Sequence, residues 1–460
     1  MGLLVWPVLL LWALSLIQPV LSNGDAAVYL DQVLRGELSE RTVHLGYLVS
    51  AAGWLALLDG RVLLERLLER LLVEPGMPHG LSVLALHLHS VFWGMVALGV
   101  LGRLERRLSG ARWGVLAGLL WLAMPPILKA LTTAEVEPMA WALQLGALLL
   151  WLEGWPVLAG LVWGAAFTVT PLVVVSLPTF VCLPSSSSET SAGVAYRRLL
   201  LGLSVLPGLL LVWHGEDWLW GSRGVLNQPP GMTRLDALER RLGELSEGLG
   251  LLLLLCGWIL GKKPTLEQQR LLWALGASVG LTFWLDRYRD MPAYGWTAAL
   301  LALWLACGLH ARMRADARER ADARVRLRAW GPGLVVGSLM LLALVWSDQQ
   351  VRAERRQGLA QRELWRAQAR WLREQPEQAR CVVGSFSASR RFLFDACGHT
   401  EPHRCMGLAP SRVLRWAELE QGAGQGLSGA CVVLELPERV PPGKLASSSG
   451  GGWLYTFGSP

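Results

Sequence analysis

The stretch Leu9-Leu10-Leu11-Trp12-Ala13-Leu14-Ser15-Leu16-Ile17-Gln18-Pro19-Val20-Leu21-Ser22-Asn23-Gly24-Asp25 decides how the chain is read. Apolar residues run from Met1 to Leu21, enough to cross a hydrocarbon core of ~30 Å, and then stop. Asp25 stands just beyond that first crossing, where a carboxylate can act as a base at a membrane surface. No basic residue precedes the run and no clear small-x-small cleavage site follows it, so an uncleaved first helix is expected rather than a signal peptide.

Composition extends this reading to the whole chain. Of 460 residues, 52% are hydrophobic and 17% charged, against about 25% charged in a soluble domain. There are 24 Trp, while Lys is confined to Lys129, Lys262, Lys263 and Lys444. Apolar segments without a polar face recur through Trp346, so a polytopic all-α membrane protein with about eleven transmembrane helices is expected. The crossings fall near 3–21, 80–101, 113–131, 138–152, 156–169, 170–183, 199–213, 249–261, 270–285, 293–310 and 331–346. Residues 156–183 also fit one long helix, tilted or broken around Pro171.

Charge sets the orientation. Basic residues stay on the cytoplasmic side. With the N-terminus inside, the cytoplasmic loops carry Arg103, Arg106, Arg107 and Arg112, then Arg197 and Arg198, then Lys262, Lys263 and Arg270, then the Arg-rich stretch from Arg312 to Arg328. The opposite loops are acidic: residues 22–79 hold eight acids against five Arg, and 214–248 hold six against four. Residues 22–79 therefore read as one outer loop, with 43–58 and the amphipathic 61–73 lying at the interface. The pI of about 9.2 reflects orientation and contact with anionic membrane lipids, not nucleic acid.

After Trp346 the character changes. Residues 348–380 are charged and helical in pattern, and Cys381–Phe386, Cys431–Leu436 and Trp453–Phe457 read as short strands. The expected organisation is a transmembrane domain over 1–346 and a small C-terminal extracytoplasmic α/β domain over 347–460. Cys381, Cys397, Cys405 and Cys431 lie in that tail. An oxidising compartment permits disulfides, and Cys397–Cys405 with Cys381–Cys431 is one of three pairings. Free thiols are the other reading. His399 and His403 between Cys397 and Cys405 also raise zinc, although the spacing is not that of a standard finger.

Three stretches carry a resemblance. Gly24-Asp25 in the first outer loop, Ala134-Glu135-Val136 before a later helix, and Asp286-Arg287-Tyr288-Arg289-Asp290-Met291-Pro292 in a late outer loop resemble the lipid-linked-sugar glycosyltransferases of the GT-C fold. The likeness is closest to the bacterial branch related to protein O-mannosyltransferases and spans roughly residues 1–310. Glu137 and Pro138 depart from the usual continuation of the second motif, and Val43-His44-Leu45-Gly46-Tyr47-Leu48 replaces a His-Pro-Pro-Gly-Tyr-Pro stretch. The resemblance implies a bacterial inner-membrane enzyme of the cell envelope. It would move a hexosyl group from a polyprenyl-phosphate-sugar donor to an outer-face acceptor: a glycan, a lipid or a protein hydroxyl.

The residues fit that chemistry. Transfer needs a base for the acceptor and positive charge for the departing phosphate. Asp25 is the candidate base, and Glu135 a second catalytic carboxylate that orients the acceptor or assists Asp25. Arg287, Arg289 and Lys129 are candidates for the phosphate, since the Arg fork matches phosphate oxygens. His44, Glu137 and Tyr288 are candidate substrate contacts. Each also has a plain structural reading: Asp25 as a helix cap, the glutamates as favourable charges at a helix start, the cations as snorkelling side chains. His87 and His89 in an apolar helix receive no role. No metal ligand and no cofactor is assigned, and a divalent cation stays open. A transporter or flippase, or a membrane scaffold presenting the tail, are the alternatives. The first would need internal repeats and mid-membrane charges, of which few are evident.

Overall fold

The computed structural model describes residues 2–17, 21, 24–36, 44–59, 80–112, 114–185, 192–227, 264–284, 291–319, 326–377, 380–398, 400–401, 406–408, 412–414, 430–434, 444–447 and 453–456. The proposed crossing at 249–261, the surface helix at 61–73 and the Arg287–Arg289 motif lie outside them.

The helices follow the apolar pattern. They are α1 Gly2–Ser15, α2 Gly24–Arg35, α3 Leu45–Asp59, α4 Gly80–Ser109, α5 Leu116–Leu122, α6 Pro125–Thr132, α7 Glu137–Leu152, α8 Pro156–Val169, α9 Leu177–Cys182, α10 Ala192–Asn227, α11 Leu266–Trp284, α12 Met291–Glu319 and α13 Arg326–Glu374. Prolines set several starts: Pro125-Pro126 open α6, Pro138 lies in the first turn of α7, and Pro156 opens α8. Proline is tolerated there because the first amides of a helix have no intrahelical acceptor. The segment 113–131, expected as one crossing, is therefore two short helices. Residues 156–183 are broken at Pro171, with a 3₁₀ turn over Pro171–Ser176. The last apolar segment and the charged stretch after it form one continuous helix, α13. Among the described residues, Leu81–Ser109, Ala192–Leu210 and Tyr294–Arg314 are long and apolar enough to cross a membrane, and several shorter apolar helices accompany them.

Contacts divide the chain into two units that interleave in sequence. The first comprises Met1–Leu16, Ser39–Ser50 and His89–Val351; the second comprises Ile17–Leu38, Ala51–Leu88 and Arg352–Pro460.

In the first unit, indole N–H groups must find acceptors because lipid supplies none. Trp121 donates to the Gly295 carbonyl (3.1 Å), Trp151 to the Leu183 carbonyl (2.6 Å) and Trp163 to the Ser176 hydroxyl (2.8 Å). Gly295 also lies so close to Trp141 that a Cβ there would fall 2.0 Å from the indole. Trp121 and Trp141 meet edge to face, with centroids 5.2 Å apart. The start of α12 is thereby fixed beside the start of α7. At the other helix ends, the fully buried Glu105 carboxylate accepts from the Ala117 amide (2.8 Å) and pairs with His310 (2.6 Å), and Arg103 pairs with Glu153 (2.7 Å). Trp12 on α1 donates to Asp348 on α13 (2.8 Å), joining the first apolar helix to the last.

In the second unit, a five-stranded sheet has the order β2-β1-β3-β5-β4, with β1 Val382–Val383, β2 Val413–Leu414, β3 Ala430–Val433, β4 Lys444–Ser447 and β5 Trp453–Thr456. β1 runs parallel to β2 and β3, and the other pairs are antiparallel. A further helix, α14 Phe386–Cys397, follows β1 and is capped by the Ser385 hydroxyl, which accepts from the Ala388 amide (3.1 Å). Alternation along the strands sends Val382 and Val432 to one face, against Trp365, Leu372 and Phe392 of α13 and α14. Cys381, Val383, Leu414 and Cys431 form the cluster on the other. Cys381 and Cys431 are disulfide-bonded, and Cys397 is disulfide-bonded too. The Cys397 sulfur is thus not a thiolate for zinc, and His399, His403 and Cys405 lie outside the described residues.

Asp395 on α14 is 8% exposed. Burial pushes its carboxyl up from 3.8 to about 6, against the pull of Arg362, Arg391 and Arg366.

Two predictions follow from this packing. Gly295→Ala forces ring or backbone to move and is expected to cost about 1–3 kcal/mol, read as a lower melting temperature in detergent; an unchanged melting temperature would contradict the close approach. The raised Asp395 contributes stability that is full below pH about 4 and is lost as pH rises through about 6. The difference corresponds to roughly 3 kcal/mol at most. Protease resistance of the tail in the full chain should fall over that window, and Asp395→Asn should flatten the slope.

Candidate functional site

The first unit gathers polar side chains where α3, α4, α7 and the end of α8 meet. Gly46 permits the meeting: a Cβ there would fall 2.2 Å from the Thr168 hydroxyl oxygen. Two residues before it, His44 Nδ1 lies 2.7 Å from the Val169 carbonyl, which can only accept, so that nitrogen carries the proton. This pins the start of α3 and buries Tyr47 completely.

Tyr47 meets His89 of α4 edge to face, with centroids 5.4 Å apart. His89 Nε2 lies 2.8 Å from the Ser50 hydroxyl and takes the Trp93 indole N–H at 3.0 Å. An indole only donates, so Nε2 is an acceptor and the ring carries its proton on Nδ1. The next residue, Ser90, reaches the backbone of Glu135: its hydroxyl lies 3.2 Å from both the Glu135 amide and the Glu135 carbonyl.

That contact fixes the turn between α6 and α7. Thr133 accepts no helical continuation; its hydroxyl instead lies 2.9 Å from the Lys129 carbonyl and 3.2 Å from Glu135 Oε1. Glu135 and Glu137 are both half-buried, as is Lys129 in the last turn of α6. Burial pushes the Tyr47 phenol well up, and the Glu137 and then the Glu135 carboxylates push it further. The phenol therefore keeps its proton at any physiological pH.

The structure thus brings Glu135, Glu137, Lys129 and His44 into one unit, the first. Asp25 is in the second unit, exposed in the first turn of α2, where negative charge is favourable with the helix dipole. Arg287, Tyr288 and Arg289 lie outside the described residues. Among the described residues no group of three or more His, Cys, Asp or Glu is gathered as metal ligands.

Sequence reasoning missed Tyr47, His89 and Ser90. The signal was present in Gly46-Tyr47 and in His87-Leu88-His89-Ser90, a polar group inside an apolar helix. Beside this site, α1, α4 and α6 enclose a small apolar cleft lined by Leu9, Trp12, Val91, Gly94, Leu128 and Leu131, among others.

Comparison with solved structures identifies the fold. The chain has the GT-C fold expected from its motifs. ArnT from Cupriavidus metallidurans, solved bound to undecaprenyl phosphate, is 13% identical with a TM-score of 0.51 over 98% of this chain and 97% of that one. The same protein in the apo state gives 13% identity and a TM-score of 0.52 over 99% and 98%. No protein-family model and no curated protein matches the sequence.

Removing His89 leaves the Ser50 hydroxyl and the Trp93 indole without this partner. His89→Ala is therefore expected to cost about 1–3 kcal/mol, measured as a lower melting temperature of the detergent-solubilised chain. An equally stable variant would mean that the imidazole is not what joins α3 to α4.

Proposed function

We propose that the chain transfers a sugar from a polyprenyl-phosphate-linked donor to an acceptor on the extracytoplasmic side of a bacterial inner membrane. The observation that carries this is the fold likeness along the full chain to ArnT, a protein solved with undecaprenyl phosphate bound. In this reading the N-terminus is cytoplasmic, about eleven helices cross, and the sheet of the second unit belongs to an extracytoplasmic tail domain over 347–460. The Cys381–Cys431 disulfide supports that location, since disulfides persist in oxidising compartments.

The reaction divides among the named residues. Asp25 takes the proton from the acceptor hydroxyl as its oxygen attacks the anomeric carbon. The bond from that carbon to the phosphate oxygen breaks, and the electron pair leaves with the phosphate. Arg287, Arg289 and Lys129 offset the charge that develops there. Glu135 orients the acceptor, with Glu137, His44 and Tyr288 as further substrate contacts. Two features support the grouping. The Gly295–Trp141 contact starts α12 beside α7, and Arg289 precedes α12 by two residues while Glu135 precedes α7 by two. The apolar cleft that includes Leu128 and Leu131 has the chemistry to take part of a prenyl chain, and Lys129 lies between those residues in sequence.

Purified protein incubated with a panel of undecaprenyl-phosphate hexoses should consume at least one of them when a suitable acceptor is present. Asp25→Asn should lower that rate by about 10²–10⁴-fold, the contribution of a positioned base, while leaving the melting temperature within a degree or two. Full activity in Asp25→Asn would remove Asp25 as the base.

A further inference from the structure

The helix that carries Asp25 is held by the tail. Within the second unit, α2 turns Ala26, Ala27, Val28, Tyr29 and Leu30 inward, and its Asp31 and Gln32 are buried as well. Asp31, 1% exposed, is the centre of a network that joins residues 369 positions apart in sequence. One carboxylate oxygen, Oδ2, accepts from the Thr400 amide (3.2 Å), from the Thr400 hydroxyl, and from Arg35 one turn along α2 (2.7 Å). Arg35 uses its other terminal nitrogen on Glu401 (2.6 Å). A buried carboxylate demands such partners, because an uncompensated charge is expensive out of water.

The tail side of this contact is itself pinned. Thr400 follows α14 closely, and that helix ends with the disulfide-bonded Cys397 and the cap at Gly398. Arg390 of α14 donates to the Thr400 carbonyl (3.0 Å). The amide and hydroxyl of Thr400 are thus presented from a fixed backbone, and α2 packs along α14. Asp25 is six residues before Asp31, about 9 Å along the helix axis at 1.5 Å per residue. With both ends of the contact fixed, rotation or sliding of α2 about its axis is restricted, and Asp25 shares that restriction.

We propose that Asp31, Arg35, Thr400 and Glu401 form a clamp through which the tail positions the Asp25 carboxylate. The tail is then part of the catalytic assembly without touching substrate, and Asp31 and Thr400 are positioning residues. This rests on Asp25 being the base.

The test is Thr400→Val in the full-length protein in detergent, with Thr400→Ser as the conservative variant. Thr400→Val removes the hydroxyl donor and nearly preserves shape. Amide hydrogen exchange should quicken at least tenfold across residues 26–35 while the sheet and α14 keep their protection. With an undecaprenyl-phosphate hexose that the wild type consumes, kcat should fall at least tenfold with the donor KM within twofold, and Thr400→Ser should restore both exchange and kcat. Unchanged exchange in α2, or equal loss of protection throughout the tail, overturns the clamp. So does a full kcat in Thr400→Val when Asp25→Asn is inactive. A fully active Asp25→Asn instead refutes the base assignment, and exchange alone then reports whether the tail holds α2.

Discussion

The close approach of Gly295 to Trp141 fixes the start of α12 beside the start of α7, and the proposed grouping of Glu135 with the Arg287–Arg289 motif depends on it. It allows no side chain between α12 and α7, so the two helices start at one level, locked further by the Trp121 indole on the Gly295 carbonyl. Contacts elsewhere in the first unit follow the same division. The ends at Tyr47, His89, Glu135 and Val169 meet one another, and those at Glu105, Ala117, Arg103, Glu153 and His310 meet one another. Helices that alternate in direction produce this sorting, because lipid forces each segment to satisfy its backbone internally and to return from the far side. In the proposed reading the acids before α7 and the cations before α12 share one membrane face although about 150 residues separate them.

Much of this was legible in the sequence. Apolar run lengths gave nearly every described helix of the first unit, and Pro138 marked the start of α7 to within a residue. The strands around Val382, Val432 and Leu454 were visible as short apolar runs. β2 and β4 were not: Val413-Leu414 is two residues long, and Lys444-Leu445-Ala446-Ser447 has little β-branched or aromatic character. Pro125-Pro126 interrupts the apolar run of 113–131, but the two-helix outcome needed the structure.

The charges of the candidate site stand out in the sequence, and its buried polar frame does not. Glu135 and Glu137 stand out because a carboxylate beside an apolar helix is unusual. Tyr47 and His89 do not, since an aromatic ring on an apolar helix reads as packing until its neighbours are known. Ser50 lies 39 residues from His89, and Ser90 lies 45 from Glu135, too far for periodicity to reveal. The interleaving of the units was hidden for the same reason. Asp31 reads as one more polar residue on an amphipathic helix until Thr400 is brought against it.

In the proposed reaction the carboxylate at residue 25 and the guanidinium at residue 287 act from one side of the membrane. Single substitutions Asp25→Cys and Arg287→Cys, probed in intact cells with a membrane-impermeant maleimide, test it most directly. Labelling of both from outside, and of neither only after permeabilisation, is the predicted result. If one is reached from outside and the other only once the membrane is opened, the two groups cannot act together and the account fails.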